Sequence, residues 1–200
     1  MTTAERTPPP PTVPDAAWLE ARFGAGSLWR PDEADLPAEL AHQESREFLT
    51  TVGFPAVEIG LIGFDSTHLR DPQRRHTFDA DEVYGRRRPD DHSPPENFCF
   101  CFCLHYEDML MLDAAAGDID HYDPNGWDHG QGYKGTVASS LHSLAVLLGL
   151  LAERAEAIDA LEDEDARATA VEELRERMIA FDAYVEEAPF WDEVFEYLAD

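Results

Sequence analysis

Lysine is almost missing from this 200-residue chain: Lys134 is the only one, and every other cationic side chain is an arginine. Only 15 bases stand against 42 acids, which leaves a formal charge of -27. A phosphate backbone is bound by clustered Lys and Arg, and a surface this negative repels it over most of its area. Nucleic acid is therefore the least expected direct partner, with no direct nucleic-acid contact foreseen, and a basic protein is the natural complement. The preference for Arg over Lys, with abundant Ala, Asp and Glu, is the mark of a GC-rich genome.

Long apolar runs are also missing. The longest, residues 144–152, falls far short of the roughly 20 residues needed to cross a bilayer, so no membrane span is expected. Residues 1–14 lack the charged start and apolar stretch of a secretory signal and carry prolines at 8–11 instead. The expected location is the cytoplasm, and the segment reads as a disordered proline-rich tail ahead of one domain over 15–200.

Cysteine is scarce, and its three copies are grouped: Cys99, Cys101 and Cys103 alternate with phenylalanines. In a strand this spacing puts the thiols on one face and the rings on the other. Alternate residues of a strand stand roughly 6.5 Å apart, too far for three sulfurs to converge on one zinc ion. An interior strand with small buried thiols is the expectation, with no metal, cofactor or redox role.

Against these absences, a 44% hydrophobic content is ample for a core. Asp15 caps an expected helix through Phe23, ended by Gly24 and Gly26, and a second helix is expected over 38–52 with Leu40, Phe48, Leu49 and Val52 inward. Strands are expected over 57–64, 98–104, 109–113 and 118–122, the last two joined around Gly117. Short connections favour antiparallel pairing. Residues 66–97, with Arg70, Arg74, Arg75, Arg86, Arg87 and Arg88, read as a polar loop. Leu141, Leu144, Ala145, Leu148, Leu151, Ala152, Ala155 and Ile158 recur in steps of three and four, the stripe of a core-facing helix. One more helix is expected over 163–185, and a short last one from Pro189. The fold class is α+β: an antiparallel-rich twisted sheet packed by N-terminal and C-terminal helices.

Several patterns invite an enzymatic reading. Gly130, Gly132 and Gly135 match the glycine spacing of a dinucleotide-binding turn, but carboxylates rather than an apolar strand lead into them, so a flexible loop is expected. Four aspartates with His121 and His129 over 118–129 fit neither an EF-hand nor another compact metal site. Ser139, Ser140 and His142 lack a nucleophile elbow, and helix capping accounts for the serines. His105, Glu107 and Asp108 fall where a polar turn is expected. No catalytic residue is assigned.

What remains is a loop in which Tyr122, Trp127 and Tyr133 are interleaved with Asp120, Asp123 and Asp128. Trp and Tyr are frequent interface anchors, and surrounding acids would steer a basic partner. These six are the candidate partner-binding residues; the alternative is that the rings fold back on the sheet edge.

The order of segments LPAELAHQESREFLTTVGFP, MLMLDAAAGDIDHYD, TVASSLHSLAVLLGLL and FWDEVFEYL resembles the fourth subgroup of the SUKH superfamily. The matching features are a proline-led helix ending in a glycine-proline turn at 37–55, a strand-turn-glycine hairpin at 109–123, a serine-headed helix at 139–151 and Trp191. Ala138 stands where the family often has asparagine, and the helix over 163–185 is long. The resemblance implies an α+β fold without an active site of its own, acting as the immunity partner of a polymorphic toxin, often a nuclease or nucleic-acid deaminase. A regulatory adaptor for a housekeeping protein and a small nucleotide- or metal-binding enzyme stay open as other readings.

Overall fold

The structure is a computed structural model that describes residues 9–71, 77–84, 88–93, 98–126 and 128–199. The chain opens with α1 (Ala16–Phe23), where the Asp15 carboxylate accepts from the Trp18 amide and Gly24 ends the helix at φ 94°. Strand β1 (Leu28–Trp29) follows, then α2 (Gln43–Thr51) and β2 (Phe54–Pro55), which pairs with β1. The helix expected over 38–52 therefore begins later. The reason is Arg46, whose guanidinium donates to the carbonyls of Pro37 and Leu40 and so fixes the preceding residues as a turn. Residues 1–8 of the expected tail lie outside the described residues.

The strand expected over 57–64 is instead a small hairpin: β3 (Glu58–Ile59), a 3₁₀ turn over Gly60–Ile62, and β4 (Phe64–Asp65). Gly63 makes the reversal in the left-handed region, at φ 62°. The expected loop over 66–97 also contains β5 (Thr77–Asp79) and α3 (Ala80–Tyr84). Within that stretch Arg70 donates to the carbonyls of Gly26 and Ser27, while Arg74, Arg75, Arg86 and Arg87 lie outside the described residues.

The centre of the sheet is β6 (Phe98–His105), β7 (Asp108–Asp113) and β8 (Ile119–Tyr122). After a helical turn, α4 (His129–Gly132), comes β9 (Tyr133–Ala138), in a region expected to be loop. Among the described residues seven strands form one antiparallel sheet in the order β3-β4-β6-β7-β8-β9, with β5 also pairing β6. β6 is interior, as its apolar sequence requires. Its alternation is broken by a bulge between Cys101 and Cys103, so that Phe102 and Cys103 both enter the main core. Cys101 is half-buried on the other face, and the Cys99 side chain lies outside the described residues.

One face of the sheet carries the main core, built on α5 (Leu141–Asp159). The expected stripe is only part of its buried surface: all nine residues from Ser143 to Leu151 are buried. This follows from its position, since α1, α2, β2, β9, α6 (Glu164–Phe181) and α8 (Pro189–Ala199) all pack around it. Gly149 lets α1 approach so closely that a methyl group there would collide with the Trp18 ring. The helix expected over 163–185 breaks at Asp182 into α6 and α7 (Tyr184–Glu187). At the end of the chain, the Trp191 indole donates to the Val137 carbonyl at 2.8 Å and locks α8 onto β9. Among the described residues no helix is long and apolar enough to cross a membrane.

Candidate functional site

The loop between β8 and β9 is held by its own backbone. Asp123 donates its amide to the Gly132 carbonyl, and its side chain accepts from the Asn125 amide at 2.8 Å. Asp128 accepts from the amide of Gln131 and so starts α4. Gly126 and Gly132 pass so close that a Cβ on Gly126 would stand 2.5 Å from the Gly132 Cα. Gly135, at φ 117°, lies beside a bulge that leaves Lys134 unmatched between the partners of Tyr122 and His121. The three spaced glycines thus lead out of a helical turn into an antiparallel strand, the reverse of the order in a pyrophosphate-binding turn.

Of the six candidate partner-binding residues, Asp123, Asp128 and Tyr133 are half-buried, with part of each side chain open to solvent. Trp127 lies outside the described residues. The expectation that Asp120 and Tyr122 touch a partner directly is corrected, because both are fully enclosed. They project from β8 onto the sheet face opposite α5, where Tyr122 packs with Met111, Cys101, Met109, Val83 and Tyr133. The Tyr122 and Tyr133 rings are 5.8 Å apart, so this tyrosine pair does fold back on the sheet.

Asp120 is the costliest group on that face. Its Oδ1 accepts from the Thr136 hydroxyl at 2.8 Å, while its Oδ2 is buried with no hydrogen-bond partner. Burial pushes its pKa up to about 7 against the opposing Thr136 bond, and the nearby carboxylates of Asp113 and Asp118 push the same way. Asp128 is also not a bare charge: its Oδ2 lies 3.1 Å from the Arg88 guanidinium. The arginine-rich stretch and the acidic loop therefore meet here.

At the same end of the sheet, β6 and β7 are joined by the two-residue turn Tyr106-Glu107, with His105 paired opposite Asp108. This is the polar turn expected there. Asp108 accepts from the His121 Nε2 at 2.9 Å and from the Lys134 ammonium at 2.7 Å. The lone lysine is thereby committed to an internal pair, and His121 faces the same carboxylate. Burial holds the His121 pKa below its ordinary value in spite of Asp108.

The serines ahead of α5 act structurally. Ser140 caps the helix by accepting from the Ser143 amide. Asp182 Oδ2 accepts from the Ser139 amide and hydroxyl, both at 2.9 Å, and from the Ser143 hydroxyl at 2.5 Å. His142, read beside them, faces Glu44 at 3.4 Å instead of a serine.

Sequence reasoning missed three surface residues. Tyr106 and Tyr197 are exposed, and Glu193 lies between them along a cavity that also reaches the buried His105. The one local signal was a tyrosine in a turn position that suits glycine.

No match was found among curated proteins or among solved structures. The family model of the SUKH-4 immunity proteins, in contrast, matches residues 14–197, nearly the whole of the chain. With the antiparallel sheet, the serine-capped core helix and the Trp191 lock in place as that resemblance implies, the chain belongs to the SUKH-4 immunity protein family.

Proposed function

We propose that the protein binds a basic toxin, a nuclease or nucleic-acid deaminase, in the cytoplasm and neutralises it by covering its substrate groove, with no catalytic step of its own. Family membership supplies the class of partner, a toxin. Its basic character is inferred from one observation, the charge: residues 104–200 hold 24 acids and 5 bases. A toxin that acts on nucleic acid carries a positive groove, and a strongly acidic inhibitor is steered to it. On this reading residues 15–200 act as one domain. Asp123, Asp128, Tyr133 and Trp127 take part in contact, and Asp120 and Tyr122 support them from behind. Glu164, Asp165, Glu172, Glu173 and Glu176, exposed on α6, add to the field.

The test is co-expression with the toxin encoded beside its gene, scored by growth rescue, followed by binding kinetics with the purified pair. Neutralisation is expected, with an association rate that falls steeply between about 50 and 500 mM salt while dissociation changes little. Growth rescue with salt-independent association would remove the electrostatic part of the reading. Failure to bind any neighbouring toxin would remove all of it.

A further inference from the structure

The β6–β7 turn places a bulky side chain where the backbone favours glycine. Tyr106 has φ 53° and is the one non-glycine residue with positive φ among those described. A two-residue hairpin loop of this kind prefers Gly at its first position, and a strained residue that persists there is a pointer to function. Burial does not compensate, because Tyr106 is 63% exposed. Its ring lies over Gly63, where a Cβ would stand 2.5 Å from the ring Cζ. The turn, the strain and the glycine together hold an aromatic ring outward.

Across from it, Tyr197 is 54% exposed on α8, one helical turn after Glu193 and on the same side. Between them is a cavity of about 280 Å³, completed by Ile62, Val194 and His105. His105 is 3% exposed, and neither ring nitrogen reaches hydrogen-bond geometry with a partner, although the Ile62 backbone and the Glu193 carboxylate both act on it. The Glu193 carboxylate is 3.6 Å from its Nε2, beyond hydrogen-bond reach. A buried polar ring left unpaired costs free energy unless something entering the cavity completes it.

We propose that this slot receives an arginine side chain of the protein partner, its guanidinium stacked between Tyr106 and Tyr197 and donating to Glu193 and to the free ring nitrogen of His105. A planar cation is the chemistry that uses all four groups at once: two π faces, a carboxylate and a neutral acceptor. Burial lowers the His105 pKa against the opposing pull of Glu193, Asp108 and the Ile62 backbone, which favours the neutral ring and its one acceptor nitrogen. An anion would meet Glu193 within a strongly acidic half of the chain, and an apolar group would leave both His105 and Glu193 unsatisfied. The slot rests on the reading that the chain binds a basic protein. It also lies at the same end of the sheet as the β8–β9 loop, since Met109, the second residue of β7, pairs with Tyr122, which pairs with Tyr133.

The test needs no toxin. The isotope-labelled full chain is titrated with the peptide acetyl-Gly-Arg-Gly-amide and, separately, with its citrulline counterpart, and amide and tyrosine-ring shifts are followed by NMR. Saturable shifts at Tyr106, Glu193 and Tyr197 are expected with arginine and none with citrulline. Glu193→Gln and Tyr197→Ala should each weaken binding about fivefold or more. Tyr106→Gly, which suits the backbone, should weaken it as much while the fold stays intact. Shifts spread over the acidic face of α6, equal binding of citrulline, or unchanged affinity in Glu193→Gln would each overturn the slot. A chain that binds a toxin but not the peptide here loses the slot and keeps the proposed function; one that binds the peptide but no toxin does the reverse.

Discussion

Where β8 runs into β9, Tyr122 is fully enclosed and Tyr133 lies against it, whereas at the neighbouring β6–β7 turn Tyr106 is 63% exposed on a backbone with φ 53°. Both regions interleave aromatic rings with carboxylates. In the first, strand geometry turns two of the six candidate residues inward, and Asp128 is met by Arg88. In the second, the backbone is strained to keep the ring out. Composition alone does not separate an interface anchor from a cross-strand ladder; the direction in which the backbone aims the side chain does.

The sharpest way to break this comparison is Tyr122→Ala. Removing a fully buried ring should cost about 3–5 kcal/mol in chemical denaturation, and a stability loss below about 1 kcal/mol would mean that the enclosed cluster does not hold the sheet. Asp120→Asn should come next. The folded-state pKa of Asp120, about 7, lies above its ordinary 3.8, so the folded chain holds a proton that the unfolded chain has released. Its contribution is intact below about pH 4 and is lost as pH rises through 7. The variant should match the parent near pH 4 and exceed it by roughly 2–4 kcal/mol at pH 8, as read from paired denaturation curves. A constant difference across pH would show that Asp120 ionises freely.

A smaller effect of the opposite kind is expected at the exposed ring. Tyr106→Gly should leave stability unchanged or raise it by up to about 1 kcal/mol, which thermal unfolding would detect. A clear loss would mean that the ring supports the fold rather than a partner. The smallest effect belongs to Asp128→Asn, where the pair between half-buried Asp128 and exposed Arg88 is broken: stability should move by less than about 0.5 kcal/mol, while stopped-flow association with the toxin slows.

Elements defined by neighbours in sequence were legible. The Asp15 cap, the Gly117 reversal, the interior strand through Cys103 and the serine-headed core helix all lie where local chemistry indicates. The misses have physical causes. β9 escaped because register shifts that leave Lys134 and Val137 unmatched break the period of two. The β3–β4 hairpin was too short for a pattern to develop, and the break between α6 and α7 comes from a carboxylate bonded to serines about forty residues earlier. The same limit applies to the site: Tyr106 is in a strand turn and Glu193 in the last helix, and only the fold brings them to one cavity.

That remote carboxylate also bears on how the chain is made. The N-terminus of α5 is finished by Asp182, which follows Ser139 by 43 residues. A ribosome must therefore extrude the chain past Asp182 before the central helix acquires its full set of hydrogen-bond partners. Trp191, which closes α8 over β9, emerges later still. Final assembly of the core thus waits for the segment from Asp182 to Trp191, and a chain cut short anywhere before Asp182 leaves its central helix incompletely covered and open to proteolytic clearance.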